Sequence, residues 1–165
     1  MTTVAYKQGV LAADSRMTAG LQLKSDKFKK IFTPQDSTIL GQRVLAYALA
    51  GNASSQLVLK TVLQEGLDVL STLDTKDDFS AIVVTKDTAF LVDKNEDDNS
   101  FTIIEFNDDT HYALGSGNQV ANYVLSKGGD PVDAVAAAMA TDLGTGGDII
   151  RWSRDEAEDE PEELA

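Results

Sequence analysis

The 165-residue chain has no cysteine and only one histidine, His111. Disulfides and thiolate metal sites are therefore excluded, and a histidine-rich zinc site cannot be assembled. No apolar run approaches the ~20 residues that span a bilayer. The N-terminus lacks the basic-then-apolar pattern of a secretory signal, so a cytoplasmic protein is expected. No G-x-S-x-G elbow, phosphate-binding loop or H-E-x-x-H motif occurs, and a Ser-His-Asp triad would have to use His111. Basic residues are also few. Against 27 Asp and Glu there are 14 Lys and Arg, a formal net charge of −13. Nothing resembles the basic stripe of a nucleic-acid-binding surface.

Much of the negative charge is local. Asp155 to Glu163 carries seven acids and no base; without it the net charge is about −6, ordinary for a soluble domain. Such a segment repels itself and has almost nothing to bury. The expected organisation is one domain over residues 1–153, followed by an acidic, disordered tail over 154–165.

What is present is a sequence of hairpin and helix signals. Thr3-Val4-Ala5-Tyr6-Lys7 and Val10-Leu11-Ala12-Ala13 flank Gln8-Gly9 and predict a tight hairpin. Val44 to Ala50 is an apolar run without a polar face, as in a strand buried on both sides. Leu59, Val62, Leu63, Leu67 and Leu70 lie on one helical face. Ala81–Thr85 and Ala89–Val92 predict a second hairpin across Lys86-Asp87, and Phe101–Phe106 and His111–Leu114 two further strands. A helix follows Gly115-Ser116-Gly117, and Asp130-Pro131 opens another whose stripe is Val135, Ala138, Met139 and Leu143. Ile149 to Trp152 closes the chain as a short strand. Hairpins separated by helices indicate an α+β fold with mostly antiparallel sheets rather than a βαβ pattern.

A hydrolase with these residues needs a nucleophile that works without histidine or cysteine. A threonine bearing its own α-amine suffices, because that amine has a pKa of about 7.7–8 and can accept the hydroxyl proton locally. Met1-Thr2 permits this, since threonine is small enough for methionine removal.

The stretch Met1-Thr2-Thr3-Val4-Ala5-Tyr6-Lys7, followed by Gly9-Val10-Leu11-Ala12-Ala13-Asp14-Ser15-Arg16-Met17-Thr18-Ala19-Gly20, resembles the start of proteasome β subunits and HslV-like peptidases. Further motifs follow in family order: Lys29-Lys30-Ile31, Leu49-Ala50-Gly51-Asn52-Ala53, Gly115-Ser116-Gly117 and Asp142-Leu143-Gly144-Thr145-Gly146-Gly147. The resemblance implies an N-terminal-nucleophile hydrolase, a four-layer αββα sandwich with two stacked, mostly antiparallel sheets. It implies Thr2 as nucleophile after loss of Met1, Lys30 as the catalytic lysine and Asp14 as the carboxylate that holds it. Gly51 would donate its N–H to the oxyanion, and Ser116, Asp142 and Thr145 would surround the terminal amine. Thr18, Gly51 and Ala53 would offer backbone to a strand-like substrate, with Leu49 lining the pocket for the residue before the cleaved bond. No cofactor is implied. The implied partners are a peptide or unfolded-protein substrate, further copies in a homo-oligomeric ring, and room for a regulating ATP-dependent unfoldase. Only one full helix fits between Leu57 and Leu70, where the family carries two; in this the chain resembles the short HslV-like proteins of bacteriophages. The same chemistry could serve a small-molecule amidase, and the fold could persist in a non-catalytic interaction protein.

Overall fold

The computed structural model describes residues 2–158. The first hairpin forms as its sequence dictates. Strands β1 (Thr3–Lys7) and β2 (Val10–Ala13) pair antiparallel. Gln8 and Gly9 between them are both left-handed, at φ 50° and 79°, the two-residue turn that suits the twist of the flanking strands. A second hairpin, not expected from the sequence, joins β3 (Met17–Ala19) to β4 (Gln22–Ser25). It leaves Leu21 and Leu23 exposed, so it has no buried face to impose an apolar alternation. Strands β5 (Ile31–Phe32) and β6 (Thr38–Ile39) are short pieces laid against β7 (Gln42–Gly51), whose centre is buried as the apolar run predicts.

Helix α1 (Ser55–Glu65) stops before the expected stripe ends. Gly66 turns to φ 90° and donates its N–H to the Leu63 carbonyl, closing the last turn. Leu67 is still buried, but in a bridge to Ile39, and Leu70 is left exposed. Strands β8 (Phe79–Thr85), β9 (Ala89–Lys94) and β10 (Phe101–Phe106) then meander antiparallel, and β11 (Tyr112–Gly115) crosses to the sheet of the first hairpin. Helices α2 (Asn118–Ser126) and α3 (Pro131–Thr141) follow. Asp130 and Asp133 cap α3 reciprocally ahead of its first-turn proline. Leu143, expected on the α3 stripe, lies past the helix end and is exposed, because Asp142 already has extended backbone.

The order β11-β1-β2-β12 makes a four-stranded sheet, where β12 is Ile150–Ser153. A six-stranded sheet runs β10-β9-β8-β7-β5, with β6 also on β7. All strand pairs are antiparallel. The fold is thus α+β, with antiparallel sheets and few helices, compatible with a sandwich. Alternation along β1 divides its side chains between two cores. Val4 and Tyr6 join a cluster with Ala46, Ile82 and Leu91 of the larger sheet. Ala5 joins Ala121, Leu125, Ala134 and Val135 of α2 and α3. A third cluster packs Leu59 and Leu63 of α1 on Tyr47, Val83 and Phe90.

Order continues past the expected boundary at 153, into α4 (Arg154–Glu158). Arg154 is only 7% exposed. Its Nε donates to the Thr85 carbonyl at 2.9 Å, Nη2 donates to the Tyr6 hydroxyl and the Thr88 carbonyl, and Nη1 meets Asp108 at 3.1 Å. A buried guanidinium needs this many acceptors to offset its lost hydration. The remaining acidic stretch expected to be disordered, 159–165, lies outside the described residues. Among the described residues no helix is long and apolar enough to cross a membrane.

Candidate active site

Thr2 and Thr3 stand on opposite sides of the chain. Thr3 shares the helix-facing side of β1 with Ala5; it is fully buried, and its hydroxyl lies 2.7 Å from Thr145 Oγ1. Strand alternation gives Thr2 the opposite side, that of Val4 and Tyr6. There it borders a cavity of about 140 Å³ and is 8% exposed. The Thr2 carbonyl accepts the Ser116 N–H at 2.8 Å. Gly115 makes this approach feasible: a Cβ on it would lie 1.8 Å from the Thr2 oxygen, and its φ is 93°. Gly115→Ala should therefore cost at least about 2 kcal/mol in denaturant unfolding and displace Thr2. Gly128 has the same φ with nothing within 4 Å, so Gly128→Ala isolates the backbone share; equal losses in the two variants would refute the close-packing account.

Beneath Thr2 sits a fully buried carboxylate. Asp14 Oδ1 accepts the Thr3 N–H at 3.1 Å and the Lys30 Nζ at 2.8 Å. Its Oδ2 accepts the Gly146 and Arg16 N–H groups at 3.0 and 3.3 Å. Lys30 is 5% exposed in this ion pair. Burial pushes the lysine pKa down; Asp14 pulls it back, but the net position is below the ordinary 10.5. The lysine is carried by the segment just before β5, where Ile31 pairs with Ala48 and so sets Lys30 beside Leu49.

Thr2, Thr18, Lys30, Leu49, Gly51 and Ala53, six residues selected from sequence, all border the one cavity. Gly51 ends β7 at φ 152°, and a Cβ there would lie 2.8 Å from the Asp78 carbonyl oxygen and 2.9 Å from Phe79 Cβ. The segment behind it is braced. Lys94, 1% exposed, donates to the carbonyls of Thr75, Asp77 and Asn95, and Asp77 Oδ1 accepts the Ser55 hydroxyl at 3.2 Å. Met17, Phe28 and Phe32 supply apolar wall that sequence reasoning missed. A period-two signal existed for two of them, since Phe28 and Phe32 flank Lys30 at even spacing.

Ser116, Asp142 and Thr145 are brought together, but behind Thr2 rather than on the cavity wall. The Ser116 hydroxyl donates to Asp142 Oδ2, as does Thr145 Oγ1 at 2.6 Å, and the Gly144 N–H donates to Oδ1 at 3.2 Å. Burial raises the Asp142 pKa, but these donors outweigh it and hold the carboxyl below the usual 3.8. Ser116 does not cap α2; Gly117 occupies that position. His111, placed by sequence at a strand start, lies just before β11 beside a separate groove. Among the described residues no three His, Asp or Glu side chains converge as metal ligands.

The arrangement places a hydroxyl-bearing residue, an ion-paired lysine and a strand-end glycine around a partly apolar recess. Such a set can hold an acyl group beside a nucleophile and a cation. Compared with protein-family models the chain matches none, and it matches no curated protein.

Proposed function

We propose that this chain is a threonine-type peptidase of the N-terminal-nucleophile class. The observation that carries the reading is the shared cavity of Thr2, Lys30, Leu49 and Gly51, with Lys30 held in an ion pair by buried Asp14. The proposed fold is the four-layer αββα sandwich of that class, supported by one apolar cluster drawing on both sheets and one on the helix side of each.

In the mechanism, removal of Met1, which lies outside the described residues, frees the α-amine of Thr2. The amine takes the hydroxyl proton as Oγ1 attacks the substrate carbonyl. The Lys30 ammonium, on the wall of the same cavity, disfavours protonation of that amine at rest. The Gly51 N–H stabilises the tetrahedral oxyanion. Collapse breaks the C–N bond, the proton passes to the leaving amine, and an ester remains on Thr2. Water, deprotonated by the same amine, resolves the ester to a carboxylate and restores the hydroxyl. Ser116, Asp142 and Thr145 position the Thr2 backbone and amine. Leu49, Met17 and Phe32 favour an apolar side chain before the cleaved bond, and Thr18, Gly51 and Ala53 offer backbone to the substrate as an added strand. A homo-oligomeric ring in the cytoplasm, served by an ATP-dependent unfoldase, is the proposed setting.

A peptide epoxyketone with an apolar terminal residue tests this directly, because its ring closure consumes both a hydroxyl and a free α-amine. Intact mass should show a chain lacking Met1 and carrying one inhibitor. Active material that retains Met1, or an unmodified chain after prolonged exposure, would refute the proposal.

A further inference from the structure

Gly51 walls two cavities. On one side is the Thr2 recess; on the other is an open groove of about 730 Å³. All four residues of β11 line this groove, opposite Gly51, Phe79 and Ser80 at the adjoining ends of β7 and β8. Among the described residues, strand β11 is the last in its sheet, bonded to β1 with no strand beyond.

The phase of the β1–β11 ladder identifies which backbone groups face outward. Ser116 N–H donates to the Thr2 carbonyl, and the register continues Val4↔Leu114 and Tyr6↔Tyr112. In an antiparallel pair, hydrogen-bonded positions alternate with positions whose groups point away. Leu114 and Tyr112 therefore bond inward to β1, while Ala113 and Gly115 turn their amide groups to the groove side. The outward Gly115 carbonyl is already taken, accepting Asn118 Nδ2 at 2.7 Å, in agreement with this phase. Among the described residues, the Gly115 N–H and the Ala113 N–H and carbonyl are left as edge groups. The Gly115 end of the strand abuts Thr2, and the Tyr112 end leads away from it.

We propose that this groove holds the leaving half of the peptide substrate, the residues after the cleaved bond, added as an extended strand along the outer edge of β11. The inference rests on the peptidase reading above and extends it from the acyl side of the bond to the amine side. Four strand residues at about 3.3 Å each match roughly three substrate residues past the bond. Backbone pairing makes this half of the site tolerant of sequence. Asp78, Ser80, His111 and Asn122 give the groove a polar lining, which suits polar or basic side chains, in contrast to the apolar recess beside Leu49.

A matched set of peptides tests the assignment. All share one acyl sequence with an apolar residue before the bond. One ends in a small fluorogenic amine, one continues for three residues between a donor and a quencher, and one is the extended peptide with its amides beyond the bond N-methylated. The extended peptide should show kcat/KM on the order of ten- to a hundredfold above the short one, the return on two or three added hydrogen bonds. The N-methylated peptide should lose that gain. Turnover of the short peptide with no gain on extension, or a gain that survives N-methylation, overturns the groove assignment and leaves the peptidase reading standing. Absence of turnover with all three peptides, together with absence of a Thr2 adduct, overturns both.

Discussion

Thr2→Ala should reduce peptide turnover on the order of 10⁴-fold or more, the scale of loss when a covalent nucleophile is removed, while the protein stays folded. The substitution deletes only the hydroxyl and one methyl at an 8%-exposed position. It keeps the backbone carbonyl that accepts the Ser116 N–H. Thermal unfolding and steady-state hydrolysis, read on the same preparation, separate the two effects. Thr3→Ala is the companion variant. It removes the hydroxyl that contacts Thr145 from a fully buried site, so its effect should fall on stability and leave Thr2 chemistry in place. An active Thr2→Ala protein would end the proposal, whatever the fold.

Asp14→Ala should destabilise the protein by about 3–5 kcal/mol, because it strands a buried cation, lowering the melting temperature by roughly 6–20 °C for a chain of this size. Lys30 is 5% exposed and meets Asp14 at 2.8 Å; the same loss unsatisfies the Thr3, Arg16 and Gly146 amides. Lys30→Met should behave differently. It removes a charge whose pKa burial already depresses, and it leaves Asp14 with three backbone donors. It should therefore cost little stability yet abolish hydrolysis. Comparing the two variants by denaturant unfolding tests the assignment of roles: equal destabilisation would mean that the ion pair, rather than the anion's web of amides, supports the fold.

The legible parts of this structure were those where one buried face repeats along one element. The first hairpin, β7, the Ala81–Val92 hairpin and the capped start of α3 all carry such a signal. The β3–β4 hairpin carries none, because it buries no face of its own. The helical stripe through Leu70 misleads at Gly66, where a positive φ ends α1 although the apolar spacing runs on. Leu143 misleads in the same way after Asp142. Arg154 could not be anticipated, since its acceptors are carbonyls and a phenol scattered over the chain and its neighbours are acids. Within the site, the resemblance of short motifs to a peptidase family nominated Thr2, Lys30, Leu49 and Gly51, and the fold brings these four to one recess. The groove along β11 left no mark in the sequence, because an unpaired edge is a property of topology rather than of residue pattern.

The Arg154 guanidinium also defines where the protein can be cut or joined. Trimming the acidic end at residue 153 would leave the Tyr6 hydroxyl and the Thr85 and Thr88 carbonyls without their shared donor, and the Gly9 carbonyl without the Arg154 N–H. A tag, a fusion partner or a truncation belongs beyond Glu158. Composition draws the border after residue 153; the side chain that locks the sheets is the next one along, inside the segment composition would discard.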